Sequence, residues 1–147
     1  MALRDFELIF KNNPQTNIKD IYYCGDYRIS ILKEGIVRIE ESKSLSFNDL
    51  PTQFAINRYF DSPKYEYKKT ENGLSFKFEY YTLFFNGSFK NSYILYKNKK
   101  MPLKSGKNLG GTYHTLDGYD GDEQIDTREK IKMIDGILTQ NGLFIYG

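Results

Sequence analysis

The stretch Leu74-Ser75-Phe76-Lys77-Phe78-Glu79-Tyr80 places a large apolar residue at every second position, with a small or charged one between. A period of two is that of a β-strand with one buried face. The run continues into Thr82-Leu83-Phe84-Phe85 and stops at Asn86-Gly87, a turn dipeptide. On its N-terminal side Asn72-Gly73 is another such dipeptide, preceded by a short strand expected at Lys64–Lys68 after Pro63. Further out, Tyr27, Ile29 and Ile31 alternate with Arg28 and Ser30. Glu34-Gly35 turns the chain, and Val37 and Ile39 then alternate with Arg38 and Glu40, so this region reads as a hairpin. Strands are also expected at Thr52–Asn57 and Tyr93–Tyr96. Asn141-Gly142 marks a last hairpin turn before Leu143-Phe144-Ile145-Tyr146. Helix is nearly absent from this pattern, the best candidate being two turns near Asp126–Lys132 with Asp126 as N-cap. Short β-branched and aromatic runs separated by Gly, Asn and Pro turns argue an all-β fold, an antiparallel sandwich or barrel.

At 147 residues the chain buries roughly 68–70% of its unfolded surface, enough for one core and one domain over residues 1–147. Its 21 Lys+Arg against 19 Asp+Glu leave a formal net charge of +2, too near balance to mark a nucleic-acid or membrane surface. A single Cys and a single His exclude an internal disulfide and a closed zinc site of Cys and His. Charges at Arg4, Asp5 and Glu7 break the apolar run that a secretory signal requires, and no stretch approaches the ~20 apolar residues of a membrane span. A cytoplasmic chain is expected. Its last residue, Gly147, falls within an apolar strand pattern, which points to a polypeptide that continues.

The segment from about Lys97 to Arg128 is rich in Gly, Asp, Asn and Lys and reads as one long loop. Connections longer than ~12–15 residues are usually functional or disordered. Within it, Ser105-Gly106-Lys107-Asn108 fails as a P-loop, because Met101 stands where the first Gly belongs and Asn108 replaces the magnesium-holding Ser or Thr. The acidic run Asp117–Asp126 fails as an EF-hand, since counting from Asp120 puts Ile125 sixth and Ile131 twelfth. No metal and no cofactor is expected. His114 is the only base of its kind available to a Ser or Cys nucleophile, and it reads as a surface or packing residue. The aromatics of Phe76-Lys77-Phe78 and Tyr65-Glu66-Tyr67-Lys68 occupy alternate positions suited to a sandwich core. A single-strand nucleic-acid platform is the competing reading of the same residues. Asn86-Gly87-Ser88 reads as a turn rather than a glycosylation acceptor.

The run Asn108-Leu109-Gly110-Gly111-Thr112-Tyr113-His114-Thr115-Leu116-Asp117-Gly118 resembles the "NLGGT…RTLDG" signature of glycoside hydrolase family 31, the α-glucosidase and α-xylosidase family. Gly136-Ile137-Leu138-Thr139-Gln140-Asn141-Gly142 is similar to that family's "GILSRDG" turn. The hairpin from Tyr27-Arg28 through Gly35–Glu40, Pro51–Phe54, Asn57–Phe60, Leu74–Tyr80 and Phe89–Tyr93 follow in the family's order. His114 departs from the usual Arg, and Leu143 from a frequent Trp. The resemblance implies a galactose-mutarotase-like β-sandwich that precedes the catalytic (β/α)8 barrel of the same polypeptide. This sandwich packs on the barrel and lends its long loop to the sugar pocket. It also implies a retaining α-glycosidase as the parent protein, with both catalytic Asp residues in the barrel and no activity in this chain alone. Asp117 is then the first candidate for a sugar-hydroxyl contact, with Tyr113, His114 and Tyr119 walling the pocket and an α-linked oligosaccharide as ligand. An Asx-type turn is the competing role for Asp117. A freestanding carbohydrate-binding module and a single-strand nucleic-acid-binding barrel are the two other functions considered. The absence of Trp, a favoured stacking platform, argues against both.

Overall fold

The computed structural model describes residues 12–52, 55–104, 109 and 137–145. Over these residues the protein is all-β, with two antiparallel sheets that close on one core. The first sheet has three strands in sequence order, β1 (Ile21–Cys24), β2 (Tyr27–Lys33) and β3 (Ile36–Glu41). The second is a five-stranded meander of β4 (Glu66–Thr70), β5 (Gly73–Lys77), β6 (Tyr81–Phe85), β7 (Tyr93–Tyr96) and β8 (Lys99–Pro102).

Alternation decides which side chains meet between the sheets. Ile29 and Ile31 of β2 face Leu74 and Phe76 of β5 and Leu83 and Phe85 of β6, all buried. Aromatic rings join the layers: Tyr22 meets Phe76 edge-on at 4.9 Å between centroids, and Tyr27 lies 5.1 Å from Phe85. Complete burial of Phe76 and Phe85 contributes roughly 1.5–3 kcal/mol each. A polar tie adds to this seam, since the Gly35 amide in the β2–β3 turn donates to the Tyr81 hydroxyl at 3.0 Å. The core reading of Phe76 and Phe78 is correct, and Tyr65 packs beside them, whereas Tyr67 remains 37% exposed.

Several boundaries differ from the pattern in the sequence. The run Leu74–Phe85 is two strands: Phe78 N donates to Tyr81 O at 2.8 Å and the chain reverses at Glu79-Tyr80. No Gly, Pro or Asn marks this reversal. Stacking of Phe78 on Tyr81, 4.6 Å apart, holds its two shoulders together. The expected strand at Thr52–Asn57 is not a ladder among the described residues. Thr52 and Ala55 bond back to each other, and Asn57 bridges Asn13. The expected Lys64–Lys68 strand starts two residues later, because pairing with β5 is set by the Glu71-Asn72 reversal, which aligns Thr70 with Gly73. The long loop expected from Lys97 begins instead with β8. Lys97 and Asn98 adopt φ of 46° and 62°, the two positive values of a type I′ hairpin, and return the chain along β7. Strand β1, too short to show a period, pairs with β2 across a tight turn at Gly25-Asp26. The Asn141-Gly142 turn is a hairpin as read, with Gly142 at φ 81° and Leu138 bridging Phe144. The helix candidate at Asp126–Lys132 and the P-loop-like residues 105–108 lie outside the described residues.

Candidate functional site

Asp117, Tyr113, His114 and Tyr119 also lie outside the described residues, so their positions are not compared. The chain on either side of them is placed. Leu109 N donates to Leu138 O at 3.0 Å, and Ile145 N donates to Ile137 O at 2.9 Å. The described residues on either side of 110–136 thus both bond to the same hairpin, Leu109 to Leu138 and Ile137 to Ile145. That hairpin is closed by Thr139, whose amide donates to Leu143 O at 3.0 Å, and is fixed to the sandwich by Leu143, which packs against the core.

Two polar networks were not distinguished from solvated strand faces by the sequence alone. On the outer side of the three-stranded sheet, Arg28 is only 5% exposed. Its Nε and Nη2 donate to Glu40 at 2.8 and 3.1 Å, and its Nη1 and Nη2 donate to Asp49 at 2.9 and 2.7 Å. Arg38 pairs with the same Glu40 at 2.6 Å, and the Phe47 ring lies 4.6 Å from the Arg28 guanidinium carbon. Residues 47–50 thus form a lid over this face, held by a doubly forked arginine. Arg58 strengthens the lid: its Nη1 donates to the carbonyls of Pro14 and Leu50, both at 3.2 Å. The only advance sign was Arg28 and Glu40 on matching faces of one hairpin. Nothing in the local pattern placed Asp49 above them.

The second network centres on Asp20, which is 2% exposed. Ser62 Oγ donates to one carboxylate oxygen at 2.6 Å and Tyr65 OH to the other at 2.7 Å, while the Tyr65 and Tyr22 hydroxyls lie 2.7 Å apart. Burial, aided by the bonds to Tyr22 and Asp20, pushes the Tyr65 phenol strongly upward, so it stays a proton donor. Arg38 Nη1 and Arg58 Nε carry no hydrogen bond, but neither network presents a nucleophile with a base beside it among the described residues. Their chemistry is structural.

Arg28 also predicts an acid response. Its hydrogen bonds hold the Asp49 carboxyl below the usual carboxylate range, against the opposing effect of burial. A carboxylate whose folded pKa lies below the unfolded value of about 3.9 adds stability that is present above that value and lost as pH falls through the folded pKa. Urea midpoints measured downward from pH 5 should therefore fall more steeply in the parent protein than in Asp49→Asn. Parallel curves would remove Asp49 from the acid limb.

The outer face of the five-stranded sheet carries a shallow hollow of about 240 Å³, lined by Glu66, Lys68, Ser75, Lys77, Thr82 and Phe84. Among the described residues no group of three or more His, Cys, Asp or Glu is arranged to hold a metal ion, and no helix is long and apolar enough to cross a membrane. Neither a family model nor a curated protein matches the chain.

Proposed function

We propose that this chain is the non-catalytic β-sandwich of a family 31 α-glycosidase, acting in cytoplasmic carbohydrate metabolism. In this reading it packs on a catalytic (β/α)8 barrel of the same polypeptide and lends the part of the expected 97–128 loop that follows β8 to the sugar pocket. One observation supports the reading: a residue from each of the two segments with the most specific resemblance is hydrogen-bonded to the other. Leu109 belongs to the Asn108–Gly118 run and Leu138 to the Gly136–Gly142 turn, and a backbone hydrogen bond joins them. Segments so far apart in the chain have no local reason to meet, whereas a domain that presents one loop from a fixed base requires it. Asp117 then contacts a hydroxyl of an α-linked oligosaccharide, with Tyr113, His114 and Tyr119 around it.

The test uses the protein that contains the barrel. Asp117→Ala is expected to raise KM for a p-nitrophenyl α-glucoside or α-xyloside about tenfold, the order of one polar contact to substrate, with kcat retained. The 147-residue chain alone is expected to hydrolyse neither substrate. An unchanged KM would reject the contact, and a reading frame with no barrel downstream would reject the whole assignment.

A further inference from the structure

The outer face of the five-stranded sheet is built in cross-strand rows. Register places Lys68, Ser75, Phe84, Tyr93 and Pro102 side by side in one row, and Glu66, Lys77, Thr82, Leu95 and Lys100 in the next. In the first row Phe84 stacks on Tyr93, with centroids 4.8 Å apart and planes at 21°. From the β8 side the Lys100 ammonium lies 4.1 Å from the Tyr93 ring centre. Phe84 is thus supported on one flank by a ring and a cation. Its other neighbour is Ser75, a side chain too short to continue the stack. The hollow is the space that Ser75 leaves between Phe84 and Lys68.

The lining selects what enters. Its volume of about 240 Å³ is below the ~300–1,000 Å³ of pockets for drug-sized ligands, which limits the occupant to about one ring. Phe84 offers that ring an apolar surface. The hydroxyls of Ser75 and Thr82 and the ammonium of Lys68 make no hydrogen bond or ion pair among the described residues, so they are free for a ligand. Lys77 lies 3.5 Å from Glu66, an exposed pair able to bridge adjacent hydroxyls. Lys68 is left as the uncompensated cation. A phosphodiester strand fits poorly, because a hollow of about one ring is no track for a backbone. We infer that this hollow binds a single hexopyranose ring bearing one anionic group, with the ring's C–H face on Phe84, its hydroxyls on Ser75, Thr82 and Glu66, and its anion on Lys68. This site lies outside the Asn108–Gly118 run and does not depend on the proposed glycosidase role.

The test is a titration of the isotope-labelled 147-residue chain at fixed ionic strength with glucuronate, glucose 6-phosphate, methyl α-glucoside and inorganic phosphate, followed at the amides of Ser75, Thr82 and Phe84. Saturable shifts are expected with one or both anionic sugars, and which one responds identifies carboxylate or phosphate as the anion. Lys68→Gln should weaken this binding about fivefold, the order of one exposed charge-assisted contact. Ser75→Val should abolish it by filling the hollow while the core amides of Leu83 and Phe85 keep their positions. Equal binding of methyl α-glucoside would overturn the anion, and equal binding of inorganic phosphate would overturn the ring. Absence of saturable shifts with every probe would overturn the site.

Discussion

Replacing Arg28 by Met is expected to lower stability by about 3 kcal/mol, toward the lower end of the range for breaking a buried ion pair. Methionine preserves most of the side-chain volume, so the loss reports on charge rather than on a void. Without the guanidinium, Asp49 keeps only a 3.6 Å approach to Arg38, and Glu40 keeps only Arg38. The lower end applies because Glu40 retains that partner and the Asp49 side chain is 35% exposed, where water softens the penalty. With urea slopes of ~1–3 kcal/mol/M for small proteins, the midpoint should fall by about 1–3 M with an unchanged slope. Adding Glu40→Met and Asp49→Leu to the same protein should restore part of the loss, because an apolar cluster leaves no charge unpaired. If Arg28→Met alone unfolds at the parent midpoint, the lid over the three-stranded sheet is held by something else.

Gly73→Ala is expected to cost about 3 kcal/mol, at the upper end for overpacking, although it adds a single methyl group. A Cβ at Gly73 would sit 1.9 Å from the Phe85 carbonyl oxygen and 3.0 Å from its carbon. Those atoms are backbone, so no side-chain rotation relieves the collision, and the β5–β6 pairing must open. Amide exchange at Leu74 and Phe85 should accelerate more than exchange in β2 and β3. Gly35→Ala is the contrast: nothing lies within 4 Å of its added Cβ, and the penalty comes only from φ of 86°, about 1–2 kcal/mol. Equal costs at the two positions would show that Gly73 is required for its conformation and not for close approach.

Gly73 also illustrates how far the sequence is legible. Asn72-Gly73 reads as a turn pair, yet the reversal uses Glu71 and Asn72, and the glycine serves the neighbouring strand instead. The β2–β3 hairpin is readable because Ile29, Ile31, Val37 and Ile39 alternate against charges and Gly35 punctuates them. The break at Phe78–Tyr81 is not, because each of its residues also suits a strand and only tertiary stacking of Phe78 on Tyr81 distinguishes a turn. Strand β8, Lys-Lys-Met-Pro, has almost no apolar signal, since an edge strand needs only Met101 inside. For the candidate sites the division is similar. The resemblance at Asn108–Gly118 is a property of residue order alone. The hollow beside Phe84 depends on which residues three different strands place in two adjoining rows, and no single segment encodes that.

The hydrogen bond between Leu109 and Leu138 has an entropic consequence. A loop whose ends are already fixed together has met most of its closure cost, and each doubling of its length then adds only about 0.6 kcal/mol. A change in chain length between these two anchors therefore adds little closure cost to the fold. A change in chain length between these anchors and a change in the sandwich core therefore fall on separate parts of the chain, so the first adds little to the cost of the second.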